Sequence, residues 1–173
     1  LGRTEATGYG LCYFVNKMLQ EISHTSLENK KVVISGSGNV AIYALQKATE
    51  LGAKVVAMSD SCGYIYVPNG IDFNILRDLK ENKKERINKY LDYDKTATFI
   101  PNHKEIWTVK CDVALPCATQ NELTLEDAEV LVSNGVLCIG EGANMPSTLE
   151  AAKSFIENKV VFGPAKAANA GGV

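Results

Sequence analysis

The sequence predicts an α/β fold with a doubly wound, mostly parallel sheet. Two observations lead to this prediction: short runs rich in β-branched residues alternate with segments of helical periodicity, and the connections between them are short. Strands separated by helices usually form a parallel sheet with right-handed crossovers and helices on both faces. The 173 residues are 46% hydrophobic and 22% charged. This composition suits one globular domain that buries about two-thirds of its unfolded surface.

The first part of the chain contains a helix followed by a strand, helix and strand. Apolar residues recur at three- and four-residue intervals over residues 5–23, which predicts an amphipathic helix. Residues 31–35 are rich in β-branched residues, and the run is too short for a helix and stops at Gly36. This pattern predicts a buried strand of a parallel sheet. An apolar stripe from Val40 to Leu51 predicts the next helix, which Gly52 ends, and residues 54–59 make the following strand.

The second part resumes the alternation after an irregular stretch. A short strand at 64–67 closes in a Pro-Asn-Gly turn, and a charged helix is predicted over residues 72–90. Residues 92–108 show no regular pattern. Beyond them the sequence predicts strands at 112–115, 136–139 and 160–162, and helices at 125–132 and 149–156. No linker or repeat divides the chain, so residues 1–173 are interpreted as a single domain.

Charge and hydropathy argue against two classes of partner. The chain has 18 Lys and Arg against 20 Asp and Glu, a net charge of -2, and no basic stripe interleaved with aromatic residues. We therefore expect no nucleic-acid partner. No apolar run approaches the roughly 20 residues that a membrane-spanning helix needs, so we expect no membrane partner either.

The cysteine and histidine patterns favour a reducing compartment and no metal. The five cysteines form no CxxC pair, and most lie in apolar runs, as small core residues do; they are Cys12, Cys62, Cys111, Cys117 and Cys138. His24 and His103 lie far apart, without neighbouring ligand patterns, so no metal site is expected. A cytoplasmic location is the corresponding expectation.

A glycine-rich turn is the clearest functional signal. The segment Gly36-Ser37-Gly38-Asn39-Val40-Ala41 has the GxGxxA pattern and lies between a predicted strand and a predicted helix. In such turns the first glycine permits the tight turn, the second lets the backbone approach a diphosphate, and the third small residue lets helix and strand pack closely. The diphosphate then lies at the helix N-terminus. The pattern predicts a Rossmann-like dinucleotide-binding domain.

The end of the second strand bears on which dinucleotide binds. Asp60 occupies the position where a carboxylate normally accepts from the adenosine ribose hydroxyls, which by itself favours NAD. Ser61 follows it, and the next predicted helix carries cations that could meet a 2′-phosphate: Lys80, Lys83, Lys84 and Arg86. Runs of charged residues usually lie on the solvated surface of a helix, which is the alternative interpretation of these cations. The residues alone leave NAD and NADP open.

Three later loops carry side-chain amides at the carboxyl ends of predicted strands, where ligands of such sheets bind. They contain Gln120 and Asn121, then Asn144, then Asn169. An amide both donates and accepts, which suits a nicotinamide carboxamide and ribose hydroxyls. Single Asn or Gln residues also cap helices and form turns, but three equivalent placements favour a binding function.

Five blocks of the sequence resemble the cofactor domain of hexameric glutamate dehydrogenase, in the Glu/Leu/Phe/Val dehydrogenase family. They are RTEATGYG at 3–10, SGSGNVA at 35–41, LPCATQNE at 115–122, EGANMP at 141–146 and KAANAGGV at 166–173. The resemblance implies that Arg3 and Thr7 lie near the nicotinamide. It places Asn39, Ala118, Thr119, Asn144 and Asn169 around its ribose and ring. In NADP-dependent members a serine and a lysine meet the 2′-phosphate, and Ser61 and Lys83 match those positions, so the resemblance favours NADP, with NAD as the alternative.

The predicted cofactor-binding set is Arg3, Thr7, Gly36, Ser37, Gly38, Asn39, Val40, Asp60, Ser61, Lys83, Ala118, Thr119, Gln120, Asn144 and Asn169. The resemblance further implies reversible oxidative deamination of L-glutamate to 2-oxoglutarate and ammonia by a homohexameric parent enzyme. The catalytic residues of the family lie in a separate, N-terminal substrate domain with no match here, so no catalytic residue is assigned. The chain is interpreted as a fragment, the C-terminal NAD(P)-binding domain, and is expected to be inactive alone. The alternative is a non-catalytic nucleotide-binding or assembly module with the same fold.

Overall fold

The predicted fold class is confirmed. The computed structural model describes residues 3–165, with side chains from residue 5 onward. The strands are β1 (Lys31–Ser35), β2 (Lys54–Asp60), β3 (Gly63–Tyr66), β4 (Thr98–Ile100), β5 (Val113–Pro116), β6 (Cys138–Gly140) and β7 (Val161–Gly163). They form one seven-stranded sheet in the order β4-β3-β2-β1-β5-β6-β7. The pairs β2-β1, β1-β5, β5-β6 and β6-β7 are parallel, whereas at one edge β3 pairs antiparallel with β2 and with β4.

Helices cover both faces of the sheet. They are α1 (Arg3–Ile22), α2 (Asn39–Glu50), α3 (Phe73–Arg77), α4 (Leu125–Ser133) and α5 (Leu149–Glu157). Residues of α1, α2 and α3 build one apolar cluster against the sheet, which includes Leu11, Leu45 and Leu76. The second cluster lies on the opposite face and includes Trp107, Leu131 and Phe155. These two layers hold the strand ends in fixed positions, because apolar surface on each face is removed from water.

Close packing of α1 on α2 places the start of α1 beside the glycine-rich turn. A Cβ atom at Gly8 would lie only 2.8 Å from both the Val40 carbonyl oxygen and the Ala44 nitrogen. The two helix backbones therefore approach each other more closely than any residue with a side chain would allow. The burial of Ala41 and Ala44 on α2 has the same effect. Small residues thus fix the distance between the two helices.

The predicted helix over residues 72–90 is wrong. The chain forms only α3, followed by a π turn at Asp78–Asn82, and then a 3-10 turn at Ile87–Asp92. Between Leu79 and Ile87 the sequence has no apolar residue to bury, so packing does not support a continuous helix there. Lys84 has a positive φ of 54°, which breaks the helical path. The Ile87 amide instead donates to Asp60 Oδ2 over 2.7 Å.

The other predicted helices and strands are confirmed to within two residues at each end. The stretch 92–108, predicted as irregular, contains β4 and a 3-10 turn at His103–Thr108 that buries Trp107. Three of the five cysteines are buried as predicted, whereas Cys117 is partly exposed and Cys62 is exposed. Within residues 3–165, none of the helices combines the length and the hydropathy that crossing a bilayer requires.

Candidate functional site

A cavity of about 440 Å³ opens at the carboxyl ends of β1, β2 and β5. Parallel strands of such sheets bind ligands at this edge, where neighbouring connections leave the sheet in opposite directions. The lining residues come from the end of β2, three loops and one 3-10 turn: Gly36, Ser37, Gly38, Ser59, Asp60, Ser61, His103, Cys117, Ala118, Thr119 and Glu122. The cavity therefore brings together seven predicted site residues: Gly36, Ser37, Gly38, Asp60, Ser61, Ala118 and Thr119.

The turn after β1 requires glycine at its first position. Gly36 has a φ of +90°, a conformation that residues with a side chain rarely adopt. A Cβ there would also lie 3.2 Å from the Ala118 Cα atom, in the loop after β5. The Gly36 amide donates to the buried hydroxyl of Ser59 over 2.9 Å. A side chain from β2 thus fixes the turn after β1.

The second glycine leaves the start of α2 open. Gly38 is the N-cap residue with extended backbone angles (φ -83°, ψ -167°), and no side chain caps the helix. A Cβ at Gly38 would meet no heavy atom within 4 Å. The first amides of a helix have no partner within it, and they favour anions. Gly38 lines the cavity, so a diphosphate can approach these amides without a steric obstacle.

Two side chains organise the loop after β5. The Ser35 hydroxyl accepts from the Cys117 amide over 3.0 Å. Glu122 Oε2 accepts from the amides of Ala118 and Thr119 over 2.9 and 3.0 Å. Burial raises the pKa of Glu122, and the hydrogen bond from Ser35 and the two amide bonds oppose that rise. Glu122 lines the cavity together with Cys117, Ala118 and Thr119, so these hydrogen bonds fix one of its walls.

Asp60 is mostly enclosed by the protein, with its side chain 6% exposed. Its Oδ1 atom accepts from the Cys62 amide over 2.8 Å, and its Oδ2 atom accepts from the Ile87 amide. The Lys80 ammonium lies 3.5 Å from Oδ2. Each carboxylate oxygen has two lone pairs, so a ribose hydroxyl could still bind. The structure nevertheless gives Asp60 a further role, because it ties the end of β2 to the segment after α3.

Arg86 is the cation that the structure places beside Ser61. Its Nη1 atom donates to the Ser61 hydroxyl over 2.9 Å, and both side chains are exposed. Lys83, which the resemblance assigns to the 2′-phosphate, instead donates to the Tyr93 hydroxyl and lies 3.5 Å from Asp78 Oδ2. Lys83 lines a different cavity, of about 300 Å³. Its role toward a phosphate remains a prediction.

The remaining predicted residues lie at different distances from this cavity. Gln120 lines a neighbouring cavity of about 520 Å³ that shares His103, Thr119 and Glu122 with the first. Asn144 is exposed in the loop after β6. That loop is joined to the β5 loop by a bond from the Asn121 amide to the Met145 carbonyl. Asn39 and Val40 begin α2, and Thr7 is half-buried on α1. The Arg3 backbone lies in α1, but its side chain is outside the described part of the chain, and Asn169 lies beyond the described residues.

Sequence reasoning missed the polar residues that hold the loops together. Ser35, Ser59 and Glu141 are buried, and each lies in or directly after a strand of mostly apolar residues. Glu141 accepts from the amides of Ser147 and Ala165, and so connects the loops that follow β6 and β7. A single polar residue at the end of a β-branched run was the available signal. Its partners are distant in sequence, so the pattern alone could not name them.

The strand order, the open glycine turn and the cavity beside it define a Rossmann-like, dinucleotide-binding class of α/β domain. Residues 1–173 match the Glutamate/Leucine/Phenylalanine/Valine dehydrogenase family over their whole length, and the chain belongs to this family.

Relatives with either coenzyme specificity resemble the chain equally well. It is 52% identical to the NADP-specific glutamate dehydrogenase of Haemophilus influenzae, over 99% of this chain and 38% of that protein. It is 51% identical to the NAD-specific glutamate dehydrogenase of Bacteroides fragilis, over 99% of this chain and 39% of that protein. The crystal structure of Plasmodium falciparum glutamate dehydrogenase matches with a TM-score of 0.93 and 50% identity, over 98% of this chain and 37% of that chain. The chain thus spans well under half the length of these relatives.

Proposed function

We propose that this chain is the NADP(H)-binding domain of a glutamate dehydrogenase that catalyses the reversible oxidative deamination of L-glutamate to 2-oxoglutarate and ammonia. The names of the relatives support this proposal, since each is a glutamate dehydrogenase whose sequence is about 50% identical to the chain. In this proposal the chain is a C-terminal domain, and the substrate domain belongs to the remainder of a homohexameric, cytoplasmic enzyme.

The observation that carries the proposal is the open approach to Gly38 at the start of α2. The absence of a Cβ there, together with the uncapped amides of the helix, fits a diphosphate between the two halves of a dinucleotide. Ser37, Asn39 and Val40 adjoin the same amides. When bound, the nicotinamide gives or takes the hydride, and this chain binds and orients it.

The nicotinamide half, in this proposal, is held by groups on the loops at the carboxyl edge of the sheet. Ala118 and Thr119 line the cavity and form one wall. The predicted contacts of Gln120 and Asn144, and of the residues whose side chains lie outside the described part, Arg3 and Asn169, complete the set. Thr7 lies on α1, which packs closely on α2, and its contact with the nicotinamide is part of this proposal. The side-chain amides would donate to and accept from the carboxamide and ribose hydroxyls.

The adenosine end supports NADP over NAD. Ser61 lines the cavity, and the Arg86 guanidinium donates to its hydroxyl, so both groups can donate to a phosphate bound beside them. Hydrogen bonds from a guanidinium to a phosphate are charge-assisted and stronger than neutral ones. Lys83 adds a third donor if its ammonium leaves Tyr93 and Asp78. A calorimetric titration of the chain with NADPH and NADH tests the assignment: NADPH is expected to bind more tightly, and tighter binding of NADH would contradict it.

The separation of binding from catalysis is tested by a turnover assay. The 173-residue chain, supplied with 2-oxoglutarate, ammonium and NADPH, is expected to bind the coenzyme and to show no oxidation of NADPH. The physical reason is that deamination needs a tuned acid or base and cationic anchors for the substrate carboxylates, and no residue of this chain is assigned to those roles. Clear turnover would overturn the placement of catalysis outside the chain. Binding of neither coenzyme would overturn the proposed function itself.

A further inference from the structure

Glu122 lies between two cavities and is not among the residues predicted to contact the coenzyme. It lines the coenzyme cavity at the end of β1 and also the neighbouring cavity that contains Gln120. The residue is half-buried, and its side chain turns back toward its own loop instead of extending into water. A carboxylate that lines a cavity for a diphosphate disfavours binding, because the two groups are both negatively charged and repel each other. Its presence there calls for a structural reason.

The reason is visible in its hydrogen bonds. Three successive backbone amides of the β5 loop are held by only two side chains, Ser35 and Glu122. Ser35 accepts from Cys117, and Glu122 Oε2 accepts from both Ala118 and Thr119. The Ser35 hydroxyl also lowers the pKa of the Glu122 carboxyl, against the rise caused by burial, so the two side chains interact. The end of β1 and the loop after β5 are therefore linked by one continuous network.

This network sets the position of a coenzyme-cavity wall. The Cα atom of Ala118 lies 3.2 Å from where a Cβ of Gly36 would stand, so the loop rests directly on the glycine turn. A rotation of the Ala118 and Thr119 peptide groups would move the wall toward or away from the coenzyme. Preorganised loops bind more tightly because less conformational freedom is lost on binding.

We propose that Glu122 is a positioning residue for coenzyme binding, which holds the 117–119 loop in its binding conformation by accepting two backbone amides. This inference rests on the proposed coenzyme site and concerns a residue outside the predicted cofactor-binding set. Both amides bond to the same oxygen, Oε2, so a neutral carboxamide oxygen can replace it. The acceptor, and not the negative charge, performs the function.

The test compares three variants by calorimetric titration with NADPH and with NADH. Glu122→Ala is expected to weaken both coenzymes about tenfold or more, because the two amides lose their acceptor and the loop loses its fixed conformation. Glu122→Gln is expected to stay within about threefold of the unsubstituted chain, because its carbonyl oxygen keeps both amides. Glu126→Ala is the control, since Glu126 is exposed and lines only the neighbouring cavity, and no change in affinity is expected.

A second measurement keeps the inference falsifiable if Glu122→Ala does not fold. Ser35→Ala removes the other end of the network and is expected to weaken both coenzymes. The double variant with Glu122→Gln is expected to bind no more weakly than Ser35→Ala alone, because the Gln carbonyl oxygen keeps both amides, and a further loss in the double variant would overturn the inference. The inference is overturned if Glu122→Ala binds like the unsubstituted chain, or if Glu122→Gln binds as weakly as Glu122→Ala. Failure of the unsubstituted chain to bind either coenzyme would instead overturn the proposed function and this inference with it.

Discussion

The two ends of the coenzyme cavity are built on different principles. At the end of β1 the backbone forms the site: Gly36 has a positive φ, Gly38 leaves open space, and the buried Ser59 hydroxyl fixes the turn. At the end of β2 the site consists of exposed side chains, Ser61 and Arg86, on a segment without regular structure. The first end depends on the fold, whereas the second can change without altering it. A coenzyme preference set at the second end alone is consistent with the similar identity of the chain to relatives named NADP-specific and NAD-specific.

The largest effect is expected from a substitution at the end of β1, where the backbone forms the site. Gly36→Ala should lower the free energy of unfolding by about 1–3 kcal/mol, the usual cost of holding a non-glycine residue in such a conformation. The added Cβ also meets the Ala118 backbone, so binding of both coenzymes should be lost. Urea unfolding and calorimetric titration measure the two consequences.

Gly38→Ala is the matched control, because the same methyl group is added two residues along the same turn. Its backbone angles suit alanine and its Cβ meets nothing in the protein, so the free energy of unfolding should be unchanged or slightly higher. Affinity for both coenzymes should nevertheless fall, because the methyl group occupies the approach to the helix amides. Equal destabilisation by the two substitutions would contradict this account of the turn.

A smaller and more selective effect is expected at the end built from side chains. Arg86→Ala should weaken NADPH binding by about 1.5–3 kcal/mol, the range for hydrogen bonds to charged groups, and leave NADH nearly unchanged. Lys83→Ala should cost less, since its ammonium must first leave Tyr93 and Asp78. Titration of each variant with both coenzymes checks this. Equal losses for NADPH and NADH would remove Arg86 from the phosphate site, and a larger loss for Lys83→Ala would favour the residue that the resemblance assigns.

The same contrast explains how much the sequence could predict. The β1-α2-β2 unit was predicted correctly because its signals are local: a β-branched run, two glycines and a helical stripe lie next to one another. The helix over 72–90 was wrong because no apolar residue between Leu79 and Ile87 supports it by packing, and the chain after this gap is held by a distant group, the Asp60 carboxylate that accepts from Ile87. The pairing of Arg86 with Ser61 and the Ser35–Glu122 network join residues far apart in sequence. No periodicity reveals such contacts, since they arise only once the sheet has formed.

The smallest expected effect is a pH dependence of the free energy of unfolding. It tests whether the Glu122 carboxylate is desolvated, separately from its effect on coenzyme affinity. Burial raises the folded-state pKa of Glu122, so the folded chain binds this proton more tightly than the unfolded chain does. The contribution of Glu122 to stability is therefore fully present at low pH and is lost as the pH rises through the folded pKa. Glu122→Gln, which is neutral throughout, should gain stability relative to the unsubstituted chain at neutral pH and gain less in acid. Urea unfolding at about pH 4 and about pH 7.5 measures the gain in the free energy of unfolding at each pH. Glu126→Gln, a substitution at an exposed residue, is the control. A gain that is the same at both pH values would show that the Glu122 carboxylate is not desolvated at the cavity wall.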